Sequence, residues 1–266
     1  VGAELVRVVK GDFERATAGH HAPDDTDVIG LLIIGWKRAA RDAIGVRIEN
    51  CVLGHDASSQ GPAFIDCCAT LLKNRGAKAH TMEPVTGCVH LAVEAGCGGT
   101  TFALQQARTV LADGRHVVWV CAEMPDGQRF SQLYEDVSPV AVARLHMAAV
   151  GDNIGHGITS ALGLLGALNS IGLVIVDDWT AKTGKAPAEL LTSIRSLIDC
   201  CQEGEVPLLL ISSAYEDASG KGWKSRGGLK VETWFLHPEE MSIRNIVKSD
   251  STQQCTLGDE GFTPRT

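Results

Sequence analysis

Several short runs in this chain are apolar at almost every position: "VHLAV" (89–93), "VVWVC" (117–121), "LVIV" (173–176) and "LLLI" (208–211). A strand with no polar face must be covered on both sides, and longer helix-like stretches lie between these runs. That alternation predicts an α/β fold: a mostly parallel central sheet with helices on both faces, and antiparallel strands at its C-terminal edge.

The pieces can be placed in order. "GCVHLAVEA" (87–95) reads as a strand and "TTFALQQARTVLADG" (100–114) as a helix closed by Gly114. "HVVWVCAE" (116–123) and "IGLVIVDD" (171–178) read as strands, and "SPVAVARLHMAAV" (138–150) as a helix with Ser138 and Pro139 as cap and first turn. A helix over 186–201 and a strand over 206–213 follow. The polar, glycine-rich stretch 214–228 reads as a mobile loop, and "LKVETWFL", "IRNIVKS" and "QCTLG" as closing strands. Before residue 80, "NCVLGH" (50–55) reads as a strand and "PAFIDCCATLLKNRG" (62–76) as a helix. A boundary near 80–87 separates a smaller N-terminal α/β segment (1–86) from a larger unit (87–266).

The chain is long enough, at 266 residues, to bury a large core. Its net charge of −8 argues against a chain-wide nucleic-acid footprint, leaving room only for a local basic patch. The apolar runs are too short to cross a bilayer, and the N-terminus lacks the apolar core of a signal peptide, so an intracellular protein without membrane association is expected. Nine cysteines without CxxC spacing read as reduced thiols packed as small apolar residues.

The chemistry gathers at "VEAGCGGTTFALQQA" (93–107). A glycine corner between strand and helix offers main-chain N–H groups and a helix N-terminus to an anion. The phosphate-loop spacing GxxxxGK[ST] puts Gly98 and Thr100 in register, with Thr101 behind. Val93, however, replaces the first glycine, and Gly99 replaces the lysine that meets the terminal phosphates. Further on, "LVIVDD" ends a buried strand in Asp177 and Asp178, where a magnesium-bound water could be held, and the strand between the two motifs ends near Glu123.

In this order, "AGCGGTTFALQQA", "HVVWVCAE" with "MPDGQRFSQL", "LVIVDDWTA", "VPLLLISS", a glycine-rich loop, "RNIVKS" and "CTLGDEGF" resemble the RecA/RadA recombinase superfamily over roughly 87–266. Without the lysine and the first glycine, and with only Ser212 and Ser213 where the family has a polar sensor, the pattern resembles a degenerate paralogue. The inactive RecA-like subunits of the Elongator complex are similar in this respect.

The resemblance implies a three-layer RecA-like core that binds ATP and magnesium weakly, as an accessory subunit in DNA recombination, repair or a related assembly. The phosphates would lie on the main chain of Gly96, Cys97, Gly98, Gly99, Thr100 and Thr101. Thr100 with Asp177 or Asp178 would hold the metal, and Glu123 would orient water. It also implies homo- or hetero-oligomers with other RecA-like subunits, and a single-stranded DNA contact through Lys221, Trp223, Lys224 and Arg226.

A second resemblance stays open. "GDFER", "ARDAIGVRIENCVLGHD", "EAGCGGTTFALQQARTVLADG" and "VCAEM" are similar to the first half of a type III ketoacyl synthase of the thiolase superfamily. That family implies Cys97 as acyl nucleophile on a CoA thioester, with His237 assisting, although Phe262 stands where its asparagine would fall. More faintly, "ATAGHHAPDD" and "VLGHDASSQGPAF" resemble the first domain of phosphohexomutases, whose phosphoserine loop is absent.

Overall fold

The computed structural model describes residues 82–180, 185–216 and 222–265. The expectations placed on the N-terminal segment therefore fall almost wholly outside the described residues, as does Lys221. Among the described residues no helix is long and apolar enough to cross a membrane.

The apolar runs assemble into one nine-stranded sheet. Its core strands are β1 (Cys88–Val93), β2 (His116–Cys121), β3 (Leu145–Ala149), β4 (Ile171–Asp177) and β5 (Leu208–Ser213). β8 (Glu232–Pro238), β9 (Ile243–Val247), β10 (Thr252–Gly258) and β11 (Gly261–Pro264) extend it, in the order β11-β10-β9-β8-β1-β5-β4-β2-β3. From β8 to β3 all neighbours are parallel, and β8 to β11 form an antiparallel meander, as the sequence predicts.

Because side chains alternate across a strand, each run feeds two cores. Val89, Leu91, Val117, Trp119, Leu173, Ile175, Leu209 and Ile211 face the layer of α1 (Gly99–Ala112), α2 (Gly127–Tyr134) and α3 (Pro139–Val142). Val118, Val120, Val174, Val176, Leu208 and Leu210 face α4 (Ile154–Ala167) and α5 (Ala188–Glu203). Met82 and Val85 pack into the first core, so the chain just before β1 already belongs to this unit.

Three stretches differ from the sequence reading. The helix begun by Ser138, whose side chain caps Ala141 N, stops after one turn, and the remainder is edge strand β3. The whole of α4 lies in a stretch with no evident pattern. Gly157 explains part of that: a Cβ there would come within 2.5 Å of Val120 Cγ1, so the helix needs a glycine where it crosses the sheet. Finally, the expected loop carries a short hairpin of β6 (Tyr215–Glu216) and β7 (Trp223–Lys224).

Candidate nucleotide site

β1, β5, β4 and β2 run parallel, so their C-terminal ends open on one edge of the sheet. The glycine corner leaves β1 there. Glu94 O accepts from Cys97 N at 3.1 Å, closing a tight turn with Gly96 at φ 77°. Gly98 then caps α1 in the left-handed region, φ 93° and ψ 31°, with no side chain capping the helix. The first-turn N–H groups of a helix have no partner within it, so those of α1 face the opening as donors.

Asp177 ends β4 on the α1 side of the sheet, and Thr100 Oγ1 donates to Asp177 Oδ2 at 2.9 Å. The carboxyl is 5% exposed. Burial lifts its pKa to about 6 and the Asp178 charge adds to the rise, while hydrogen bonds from Thr100 and from the Asp178 main chain oppose it. Asp178 itself is exposed and takes the left-handed conformation, φ 51°, as the chain turns so that Trp179 can pack beneath.

Two adjoining clefts share Thr100, Thr101, Asp177 and Asp178. One, of about 360 Å³, is walled by the glycine corner and Ser213; the other, of about 300 Å³, runs past exposed Glu123 toward Arg129. Such dimensions suit a small polar ligand.

Sequence reasoning missed Arg129. Its guanidinium reaches from α2 to Thr101 Oγ1 (3.1 Å) and to the carbonyls of Gly258 (2.8 Å) and Asp259 (3.1 Å), tying the β10–β11 turn to the first turn of α1. Its position within "MPDGQRFSQL", just after β2, was the available signal. Gln105 makes a second tie, accepting from Phe262 N at 2.7 Å.

Other expected residues are less free. Ser212 is buried and hydrogen-bonded to His90 at 2.7 Å, on the α4–α5 side of the sheet. His90 is fully buried, which pushes its pKa down to about 4 and keeps it neutral near pH 7. Trp223 stacks on His237 with ring centroids 5.7 Å apart, and Arg226 lies 5.0 Å over the Tyr215 ring. With exposed Lys224 they form a small basic-aromatic cluster beyond the end of β5.

The structure does not bring Cys97 and His237 together. Cys97 is 2% exposed within the α1-side core, and burial, then the charge of Glu94, raises its pKa, with Arg244 opposing. Trp234 and Leu236 of β8 face that same core, so the intervening alternation turns His237 to the opposite face, where it meets Trp223. Cys97 is therefore expected to alkylate far more slowly than a free thiol. Peptide mass after iodoacetamide treatment reads this, and rapid labelling below pH 7 would contradict it.

Among the described residues all six cysteines are free thiols, and no group of three His, Cys, Asp or Glu side chains is placed to hold a metal ion.

No protein-family model matches the sequence, and no curated protein matches it either. Among solved structures, the crystal structure of the RadB recombinase is similar, with a TM-score of 0.56 and 18% identity. The match covers 67% of this chain and 90% of that one. The likeness is one of fold: the chain has a RecA-like fold.

Proposed function

We propose that this protein is an intracellular RecA-like subunit that binds a nucleotide with magnesium at the glycine corner, and that it serves DNA recombination, repair or a related assembly by binding rather than by rapid hydrolysis. The observation that carries the reading is the Thr100–Asp177 hydrogen bond. It joins a hydroxyl at the mouth of an uncapped helix to a buried carboxylate at the end of a strand two places away in the sheet. Local turn chemistry does not require that pairing, whereas a magnesium–phosphate site needs oxygen donors brought together in this way.

The donor set fits the metal. Magnesium takes oxygen ligands, keeps several waters, and is bound through one or two carboxylates and substrate phosphates. Thr100, Asp177 and the neighbouring Asp178 are oxygen donors of that kind. When bound, the ion would neutralise phosphate charge. The helix donors of α1 would hold the phosphates, and Glu123, on the rim, would orient water. Gly99 offers no cation to the terminal phosphates, so turnover would be slow.

The β6–β7 cluster of Trp223, Lys224 and Arg226 lies at the same sheet edge and supports a single-stranded nucleic-acid contact close to the nucleotide. Assembly with other RecA-like subunits belongs to the same proposal.

Calorimetric titration with ADP and ATP, with magnesium or with EDTA, tests the reading. Magnesium-dependent binding is expected, weakened about tenfold by Thr100→Ala through loss of one metal-facing hydroxyl. Equal binding with EDTA, or none at millimolar ligand, would overturn it.

A further inference from the structure

The two departures from the phosphate-loop pattern touch each other. A Cβ built on Gly99 would lie 2.9 Å from Val93 Cγ2, 3.3 Å from Val93 Cγ1 and 3.2 Å from Ile211 Cγ2. The first of these is closer than real Cβ atoms come to a neighbour, and the others are tight. Val93 is buried at the end of a central strand, between β5 and β8. Both of its methyls face position 99. In any staggered rotamer at least one methyl stays in one of those two places, and a β-branched side chain in a strand turns reluctantly.

The residue that replaces the first glycine thus fills the volume from which a lysine stem at 99 would have to start. Conversely, only glycine at 99 leaves room for that valine. Ile211, from the neighbouring strand, closes the remaining side.

We propose that Val93 and Gly99 form a steric lock that makes the cradle lysine-free by construction, and that Val93 thereby removes the preference for a nucleoside triphosphate over a diphosphate. In phosphate loops the main-chain N–H groups cradle the α- and β-phosphates, and the lysine reaches the β- and γ-phosphates. With the lysine's volume filled, a third phosphate meets no added cation from the loop. The choice of ligand rests on the nucleotide reading above; the lock itself rests only on the packing of Val93, Gly99 and Ile211.

A double-mutant cycle tests the lock without any ligand. Gly99 is the first residue of α1, where alanine is ordinarily the better helix former. Gly99→Ala is expected to show the reverse sign, lowering Tm by about 3–8 °C in the wild-type background. In Val93→Ala, which opens the space, the same substitution should cost less than half as much. Additive effects would overturn the lock. Should Gly99→Ala fail to fold, recovery in Val93→Ala/Gly99→Ala is the same coupling in stronger form, and a double variant that also fails overturns it.

Specificity is read on the same proteins by titration with ADP and ATP. The wild type should bind the two within about threefold, and Val93→Gly/Gly99→Lys should shift preference toward ATP by about tenfold, while Gly99→Lys alone should not. A wild type that prefers ATP more than about threefold, or a single Gly99→Lys that gains as much as the double, overturns the assignment. The two proposals fail separately. If no nucleotide binds, the proposed function falls while the Tm cycle still reads the lock. If nucleotide binds and the Tm effects add, the lock alone falls.

Discussion

At pH 8 and without ligand, Asp177→Asn should be more stable than the wild type, while losing magnesium-dependent nucleotide binding. The carboxyl is raised from 3.8 to about 6, chiefly by burial, which corresponds to about 3 kcal/mol held against the charged form. Between those two values the folded protein keeps a proton that the unfolded chain has released. Wild-type stability therefore rises as pH falls through that window, and the contribution is lost as pH rises above 6. Asparagine keeps an oxygen to accept from Thr100 and carries no charge at any pH. The gap between variant and wild type should be largest above pH 7 and close toward pH 4, as urea titrations at several pH values would show. A variant less stable at pH 8, or a gap indifferent to pH, would contradict the electrostatic account. Magnesium would reverse the preference by stabilising the carboxylate, so a group that costs stability in the free protein is the one a metal site needs.

Gly98→Ala should be among the most damaging single substitutions in the described residues. It forces a side chain into φ 93° and places a Cβ 2.9 Å from Leu257 Cδ2 and 3.3 Å from Phe262 Cζ. Backbone strain and overpacking together put the cost at about 2–4 kcal/mol, or a fall in Tm of about 5–15 °C. Nucleotide binding should fail with it, because α1 can no longer start at the same angle. Gly96→Ala makes the informative comparison. Gly96 has φ 77°, but a Cβ there meets nothing within 4 Å, so that variant should bear the strain alone and lose less. Equal losses in thermal melts would show that the contacts with Leu257 and Phe262 do not matter.

The central sheet was legible because β1, β2, β4 and β5 are buried on both faces and say so in unbroken apolar runs. β3 was not, because its "LHMAA" follows a one-turn helix of equally apolar residues and nothing in composition marks where one ends. The glycines of α4 hid a helix whose formation depends on close approach to the sheet rather than on propensity. In the site, Thr100 and Asp177 could be picked out from a corner and a strand end, although only the fold shows them bonded. Val93 and Gly99 read as two separate defects, since their mutual contact exists only once β1 and α1 are joined by the turn at Gly96. His237 looked like a partner for Cys97, and the alternation of β8 parts them.

The β10–β11 turn has a bearing on when the cradle comes into being. Leu257 and Phe262 crowd Gly98, Arg129 grips Gly258 and Asp259, and Gln105 is bonded to Phe262 across 157 positions of sequence. The glycine corner is short, yet its shape is held by strands that come much later in the sequence, so it is expected among the late, non-local events of folding. A nascent chain that has released α1 and even β5 has made the parts of the cradle but not their final fit. The proposed nucleotide binding would therefore have to wait until the C-terminal strands had left the ribosome and docked.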